Sequence, residues 1–141
     1  MIRNLAIGDT VAFTKTLGES DVYLFAGITG DLSPNHVNEE YGRTTRYGGR
    51  IAHGMLVLSL ASNTSTMIQA KAQQACVSYG YDRVRFLEGV LIGDTLTVTY
   101  RITEIDQDAD KSFADIEIRN QRGDLCAVAT HILKFFDAPL A

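Results

Sequence analysis

The chain has 141 residues, a formal net charge of −4 and 45% hydrophobic residues. That length and composition fit one folded domain and exclude a disordered chain. The acidic balance argues against a surface for double-stranded nucleic acid, and no apolar stretch approaches the roughly 18 residues of a membrane span. We therefore expect a single domain over residues 1–141 that binds neither nucleic acid nor a membrane.

The first half of the chain is predicted to be mainly helical. A short strand at 10–16 precedes a helix that we expect Ser20 to cap and that ends near Thr29. The segment 31–53 has no periodic pattern and is predicted to be an irregular loop. From about 54 to 70 the sequence is apolar on most sides of its first two turns, which is typical of a buried helix.

The second half of the chain predicts an antiparallel sheet. Strands are expected at 77–87, 95–105, 114–118 and 125–136, with short turns after the second and third of them. Along 95–105, apolar residues alternate with polar ones, which indicates one buried and one exposed face. His131 is expected to point outward from the last strand and to have a structural role. One long helix against such a sheet is an α+β fold.

The amino terminus and the cysteines indicate the compartment. The opening segment MIRNLAIGDT lacks the apolar stretch of a secretory signal peptide. Cys76 and Cys126 have neither a CxxC spacing nor a zinc-ligand spacing, so we expect two reduced thiols. The sequence thus predicts a cytoplasmic protein.

Residues that carry chemistry cluster in the irregular segment. Asp31 and His36 lie on either side of Pro34, and in a loop the path between them can curl both side chains toward one point. A carboxylate and an imidazole that converge on one water form a general acid–base pair near neutral pH. The alternative interpretation is that Asp31 caps a turn and that His36 only packs against it.

His53 and Gly54 stand where the buried helix is predicted to begin. The first amides of a helix have no intrahelical acceptor. A glycine at that position lets a substrate carbonyl approach closely, and its N–H can stabilise an oxyanion. The alternative is an ordinary helix start.

Two strings of the sequence together resemble a known motif. FAGITGDLSPNHVN (25–38) and GGRIAHGML (48–56) look like the hydratase motif of the MaoC-like, (R)-specific enoyl-CoA hydratases. The matching positions are Phe25, Gly30, Asp31, Pro34, His36, His53, Gly54 and Met55. A later segment, RF at 85–86 followed by IGDTL at 92–96, also resembles the family, so the resemblance covers nearly the whole chain. The departures are Ser33, Asn35 and Gly89, where the family usually has Asn, an aliphatic residue and Pro.

The resemblance implies a fold, an assembly and a reaction. The fold is a single hot dog, in which a curved antiparallel sheet wraps a long helix, and two such units form a homodimer. Asp31 and His36 would activate the water that adds to a trans-2-enoyl-CoA, and the Gly54 amide would stabilise the thioester oxygen. The product would be a (3R)-3-hydroxyacyl-CoA. No metal and no cofactor are expected, because coenzyme A is part of the substrate and the ligand spacing fits no common zinc site.

Further residues complete the predicted site. Supporting roles are expected for Ser62, Ser33, Pro34 and His53. Substrate contacts are expected from Arg43, Arg46, Arg50 and Met55, the three arginines facing the phosphates of coenzyme A. The alternatives are a hydroxyl of Ser62 that bonds back to its own helix, a His53 that only packs, and arginines that form a solvated basic loop.

Other functions of the same fold stay open. The chain could dehydrate 3-hydroxyacyl groups carried by acyl carrier protein, or branched hydroxyacyl-CoA substrates. A hot-dog thioesterase and a non-catalytic acyl-CoA-binding protein are the alternatives from other classes. The presence of both Asp31 and His36 favours the hydratase.

Overall fold

The computed structural model describes residues 1–141 and contains one five-stranded sheet and five helices. The elements in chain order are β1 (Thr10–Thr16), α1 (Glu19–Thr29), α2 (Pro34–Val37), α3 (Glu39–Thr44), α4 (Gly54–Ser59), α5 (Ala61–Ala72), β2 (Gln74–Phe86), β3 (Thr95–Asp106), β4 (Lys111–Arg119) and β5 (Leu125–Pro139). The expected α+β class is confirmed. No helix combines the length and the apolar character that crossing a membrane requires.

The sheet curls around α5. Its strand order is β1-β3-β4-β5-β2, and every neighbouring pair is antiparallel. Helix α5 contacts β1 and β2, which are the two opposite edges of the sheet, and it also contacts β3. A flat sheet could not bring both edges to one helix, so the strands must wrap around it.

The alternation predicted in β3 produces the core. Leu96, Val98, Tyr100 and Ile102 are fully buried, and Ile116 and Ile118 of β4 are buried beside them. These side chains share one face because successive residues of a strand point to opposite sides. Burial of such apolar area, at roughly 25 cal/mol per Å² removed from water, is the main force that holds the sheet on the helices.

The predicted helix from 54 to 70 is interrupted. Helix α4 ends at Ser59, and Leu60 links it to α5 with helical dihedral angles, φ −64° and ψ −22°. The Leu60 N–H bonds to the Val57 carbonyl at 3.3 Å, an i to i−3 contact that tightens the turn. The helical path is therefore nearly continuous, but its first part is a short separate segment.

Helix α1 begins two residues earlier than predicted, and its cap differs. Gly18, not Ser20, is the N-cap, and the Asp21 carboxylate accepts the Gly18 N–H at 2.9 Å. That hydrogen bond lowers the pKa of Asp21. At the other end, Gly30 ends the helix with φ +77°, a left-handed conformation that glycine adopts without a steric penalty.

The expectation that His131 points outward is wrong. His131 is fully buried, and it shares the core face of β5 with Ala129, Leu133 and Phe135. Its Nε2 lies 2.7 Å from the Ser78 hydroxyl, and its Nδ1 lies 2.8 Å from the Tyr100 hydroxyl. The two hydrogen bonds allow a polar ring inside an apolar layer. Burial lowers the pKa of His131 to about 4, so the ring is neutral at pH 7.

Candidate active site

Asp31 follows directly on the left-handed residue that ends α1. Its N–H donates to the Thr29 hydroxyl at 3.1 Å, and its Oδ1 accepts the Ser33 N–H at 3.2 Å. These bonds hold the turn in an Asx-type conformation. The carboxylate remains about half exposed, with 53% of the side chain accessible. The turn predicted by the alternative interpretation therefore exists, and the Oδ2 atom remains directed away from it.

His36 lies on α2, which Pro34 begins. Proline fits the first helical position because its missing N–H would have no intrahelical partner there. The His36 Nδ1 lies 2.7 Å from the Ile51 carbonyl oxygen, and a carbonyl can only accept. The ring proton is therefore assigned to Nδ1, which leaves the Nε2 lone pair free.

The two predicted catalytic side chains face each other across a gap. The His36 Nε2 lies 3.9 Å from the Asp31 Oδ2, which is too long for a direct hydrogen bond. One oxygen atom placed beside the gap can contact both groups. The geometry thus brings together a carboxylate and an unprotonated imidazole nitrogen, as the sequence predicts.

His53 holds both members of this pair. Its Nε2–H donates to the Asp31 backbone carbonyl at 2.9 Å. Its ring stacks on the His36 ring with centroids 3.8 Å apart, and the Phe25 ring meets its other side edge-on at 5.0 Å. His53 is 3% exposed. His53 therefore contacts both members of the pair, and its supporting role stays a prediction.

Gly54 is the first residue of α4, as predicted. Its N–H belongs to the first turn and has no acceptor within the helix. A Cβ on this residue would lie 2.9 Å from the Phe86 ring, so only a glycine leaves both the ring and the helix where they are.

Two clefts share Gly54 in their linings. One, of about 290 Å³, contains His36, Gly54 and Phe86 together with Arg46 and Tyr47. The other, of about 320 Å³, contains His36, Gly54 and Phe86 together with Asp31, His53, Met55, Phe25 and Thr29. The acid–base pair therefore lies where a ligand that passes from one cleft into the other would run.

The three predicted arginines differ in availability. Arg50 is paired inside the protein: its guanidinium contacts Glu19 at 2.9 Å, Glu39 at 2.7 Å and the Tyr23 hydroxyl at 2.6 Å. Two carboxylates already neutralise Arg50, so the phosphate contact expected of it stays a prediction that these ion pairs oppose. These ion pairs raise the pKa of Arg50. They join α1 to the segment that carries His36.

The other two arginines remain at the surface. Arg43 is largely exposed and pairs only with Glu39 and Glu40 of its own helix. Arg46 is exposed, borders the first cleft and donates to the Tyr47 hydroxyl at 3.0 Å. Gly89 faces the same ring, since a Cβ there would lie 2.6 Å from it. This close contact gives a steric reason for glycine at position 89.

Ser62 does not reach the acid–base pair. The hydrogen bonds of Asp31 and His36 go to other groups, and Ser62 instead lines a third cavity with Phe25 and Met55. The hydrogen bond expected from Ser62 to the pair is therefore absent. Ser33 is the N-cap residue of α2, and its contact with Asp31 comes from its backbone N–H rather than from its hydroxyl.

Asp31, His36 and His53 also form a group of the residue types that bind metal ions. Their candidate ligand atoms lie within 4.8 Å of one another. One nitrogen of each imidazole is already bonded to a carbonyl, at Ile51 for His36 and at Asp31 for His53. Such bonds also orient imidazoles in acid–base sites, so the group by itself does not distinguish the two uses.

Sequence reasoning missed the groups that orient the pair. The Ile51 carbonyl is a backbone atom and leaves no trace in residue type. The contacts of Arg50 with Glu19, Tyr23 and Glu39 link residues far apart in the chain. Only the abundance of charges around the irregular segment hinted at ion pairs.

Comparison with known proteins identifies the family. The model of the MaoC like domain matches residues 4–120. The chain belongs to the MaoC-like domain family. An (R)-specific enoyl-CoA hydratase of Rhodospirillum rubrum is 41% identical over 96 residues, 68% of this chain and 65% of that protein. A 3-hydroxybutyryl-CoA dehydratase of Methylorubrum extorquens is 32% identical over 102 residues, 72% of this chain and 63% of that protein.

A solved structure confirms the fold of this MaoC-like chain. The (R)-hydratase of Aeromonas caviae, described as involved in PHA biosynthesis, superposes with a TM-score of 0.85 at 26% identity. The superposition covers 92% of this chain and 96% of that structure. The hot-dog fold expected from the sequence is thereby confirmed. The alignments with the two curated relatives span less than two thirds of those proteins, so the alignments alone do not assign their activities to this chain.

The ion pairs of Arg50 with Glu19 and Glu39 predict that removal of Arg50 destabilises the fold. Arg50→Ala should lower the free energy of unfolding by about 2 kcal/mol, because it breaks the ion pairs to Glu19 and Glu39 and leaves Glu19 without a partner. Arg43→Ala, which removes an exposed arginine from the same segment, should change it by less than about 0.5 kcal/mol. Urea unfolding of both variants measures the difference. Equal free energies of unfolding for the two variants would contradict a stabilising role of the Arg50 ion pairs.

Proposed function

We propose that the protein is an (R)-specific enoyl-CoA hydratase, a hydro-lyase. It adds water across the C2=C3 bond of a trans-2-enoyl-CoA to give a (3R)-3-hydroxyacyl-CoA, and it catalyses the reverse dehydration. The observation that carries the proposal is the 3.9 Å gap between the Asp31 Oδ2 and the His36 Nε2. The names of the relatives, which include a hydratase and a dehydratase, support it.

The pair activates the water. Asp31 and the Nε2 of His36 both accept hydrogen bonds from one water molecule and share its deprotonation as its oxygen forms a bond to C3. The electron pair of the double bond moves to C2 and the thioester, and the pair then returns to C2, from the same side, the proton that it took from the water. The atoms of one water are thus added to one face of the double bond. A general acid–base contribution of this kind is worth about 10²- to 10⁴-fold in rate.

Gly54 stabilises the charge that develops on the thioester oxygen. As C3 is attacked, the thioester takes on enolate character, and a donor aimed at its oxygen lowers the barrier. Gly54 lines both clefts that contain His36. The backbone donor is fixed in place before the reaction, so it requires no reorganisation when the charge appears.

The two clefts suit the two ends of the substrate. The first cleft, with Arg46 and Tyr47 at its edge, takes the coenzyme A arm, and Arg46 and Arg43 supply positive charge for the phosphates. The second cleft, with Met55 and Phe25, takes the enoyl group. The mechanism uses protein groups alone and requires neither a metal nor a cofactor besides the coenzyme A of the substrate.

Dehydration of 3-hydroxyacyl thioesters is the second candidate function. Asp31 and His36 serve both directions of a reversible reaction, and the name of the Methylorubrum relative refers to the dehydration. Acyl carrier protein or a branched acyl-CoA would then be the carrier or the substrate. A non-catalytic acyl-CoA-binding protein would have no use for a free imidazole lone pair beside a carboxylate.

Two free cysteines, Cys76 and Cys126, support a reducing, cytoplasmic location.

The active form is proposed to be a homodimer joined near β2. This strand forms one edge of the sheet, is 13 residues long and pairs only with β5. A long edge strand leaves unpaired N–H and C=O groups, and Val77, Tyr79 and Phe86 on it are about half exposed. A second copy covers such an edge. Light scattering should therefore give the mass of two chains, whereas the mass of one chain would contradict the proposal.

The acid–base assignment is tested by two variants. Asp31→Asn keeps the shape of the side chain and His36→Gln keeps a polar group, but each removes a proton acceptor. Each should lower kcat for hydration of crotonyl-CoA by at least about 100-fold, because each breaks the shared deprotonation. Loss of the enoyl-thioester absorbance measures the rate, and circular dichroism verifies the fold.

A control and two contrary outcomes make the test decisive. Glu40→Gln changes an exposed carboxylate on α3 that pairs only with Arg43, and it should keep kcat within about twofold. Full activity of either the Asp31 or the His36 variant would remove that residue from the mechanism. No hydration of short or medium enoyl-CoAs by the unaltered protein would overturn the proposed function.

A further inference from the structure

A third cavity adjoins the acid–base site and contains an unusual number of hydroxyl groups. It measures about 360 Å³ and shares Phe25 and Met55 with the cleft that holds Asp31 and His36. Its lining comprises Phe25, Met55, Leu58, Tyr81 and four serines, Ser59, Ser62, Ser65 and Ser78. If the proposed function holds, the acyl chain beyond C3 runs past Phe25 and Met55 into this cavity.

Two of the serines bond back to their own helices. The Ser59 hydroxyl donates to the Leu56 carbonyl at 2.6 Å, and the Ser65 hydroxyl donates to the Ser62 carbonyl at 2.7 Å. Their protons are used, so these side chains have no donor left for a ligand. Such hydrogen bonds to the preceding turn are common for serine on a helix and require no functional explanation.

Ser78 differs, because it ends a chain of hydrogen bonds that starts in the core. The Tyr100 hydroxyl lies 2.8 Å from the His131 Nδ1, and the His131 Nε2 lies 2.7 Å from the Ser78 hydroxyl. Tyr100 and His131 are both fully buried. The Tyr81 ring, which lines the cavity, stacks on His131 with centroids 4.3 Å apart.

The direction of this chain follows from the protons available. Burial raises the pKa of the Tyr100 phenol and lowers the pKa of His131 to about 4, so both groups are neutral at pH 7. The phenol has one partner in the protein, the Nδ1 of His131, and it satisfies its proton by donating to that nitrogen. The single ring proton of His131 is then on Nε2 and is donated to Ser78. The Ser78 oxygen thus accepts, and its own proton is left for the cavity.

We propose that this cavity selects acyl chains that carry an uncharged oxygen acceptor, such as an ether or a keto oxygen, beyond the C2=C3 bond. Ser78 donates the hydrogen bond to that oxygen. The oxygen is uncharged because no charged residue lines the cavity. A plain alkyl chain would cover the Ser78 proton without offering it an acceptor, which disfavours binding.

An oxygen scan of the acyl chain tests the proposal. The value of kcat/KM is measured for (E)-oct-2-enoyl-CoA and for three analogues in which oxygen replaces the methylene at C5, C6 or C7. The wild type should prefer the analogue with oxygen at one of these positions, and Ser78→Ala should reduce that preference about 3- to 10-fold. Comparison of the two proteins on the same compounds cancels any difference in intrinsic reactivity.

Three further variants assign the effect to the hydrogen-bond chain. Ser65→Ala removes a hydroxyl of the same cavity whose proton is already used, and it should leave the preference unchanged. Ser78→Thr keeps the hydroxyl and should retain the preference. Tyr100→Phe removes the group that orients the proton of His131, and it should weaken the preference, which provides a second test if Ser78→Ala fails to fold.

The outcomes separate this inference from the proposed function. Equal preferences in the wild type and the Ser78→Ala variant at all three positions, or an equal loss in Ser65→Ala, would overturn the inference while hydration of octenoyl-CoA upholds the function. If the protein hydrates neither crotonyl-CoA nor any of the four octenoyl compounds, both the inference and the proposed function are overturned.

Discussion

The hydrogen bond between the His36 Nδ1 and the Ile51 carbonyl is the interaction on which the proposed chemistry depends. This bond of 2.7 Å fixes both the tautomer and the orientation of the ring, because a carbonyl oxygen accepts a hydrogen bond only from a nitrogen that carries a proton. The Nε2 lone pair is therefore directed toward Asp31 before any substrate arrives. The Ile51 backbone is itself held, since its N–H donates to the Asn35 carbonyl at 2.9 Å. A catalytic group that is held in its reacting geometry before the substrate binds lowers the entropic part of the barrier.

The rest of the fold holds the two segments that carry this bond. Gly30 ends α1 so that Asp31 follows immediately, and Pro34 begins the short helix that carries His36. Arg50, beside Ile51, ties the same segment to α1 through Glu19. The sheet wraps α5 and buries its apolar face, so these short elements are attached to a rigid body. Functional residues on loops that a packed scaffold positions are common in enzymes.

Much of this arrangement could be predicted from residue patterns, and what could not has a physical reason. The alternation of β3 and the apolar run from Gly54 gave the sheet and the helix, because both arise from local periodicity. The spacing of Asp31, Pro34 and His36 indicated the acid–base pair. The position of His131 was mistaken, because a polar residue in a strand was assigned to the solvent face although Tyr100 and Ser78 provide partners inside. The ion pairs of Arg50 could not be predicted either, because contacts between distant segments leave no local pattern.

The central claim is that one pair of groups on one side of the substrate adds both parts of water. Hydration of crotonyl-CoA in deuterium oxide, followed by NMR analysis of the isolated product, measures this most directly. The proposed function predicts a single (3R) product in which the deuterium at C2 and the hydroxyl at C3 were added to the same face of the double bond. Addition to opposite faces, or a mixture of configurations at C2, would contradict a mechanism in which Asp31 and His36 act together on one water.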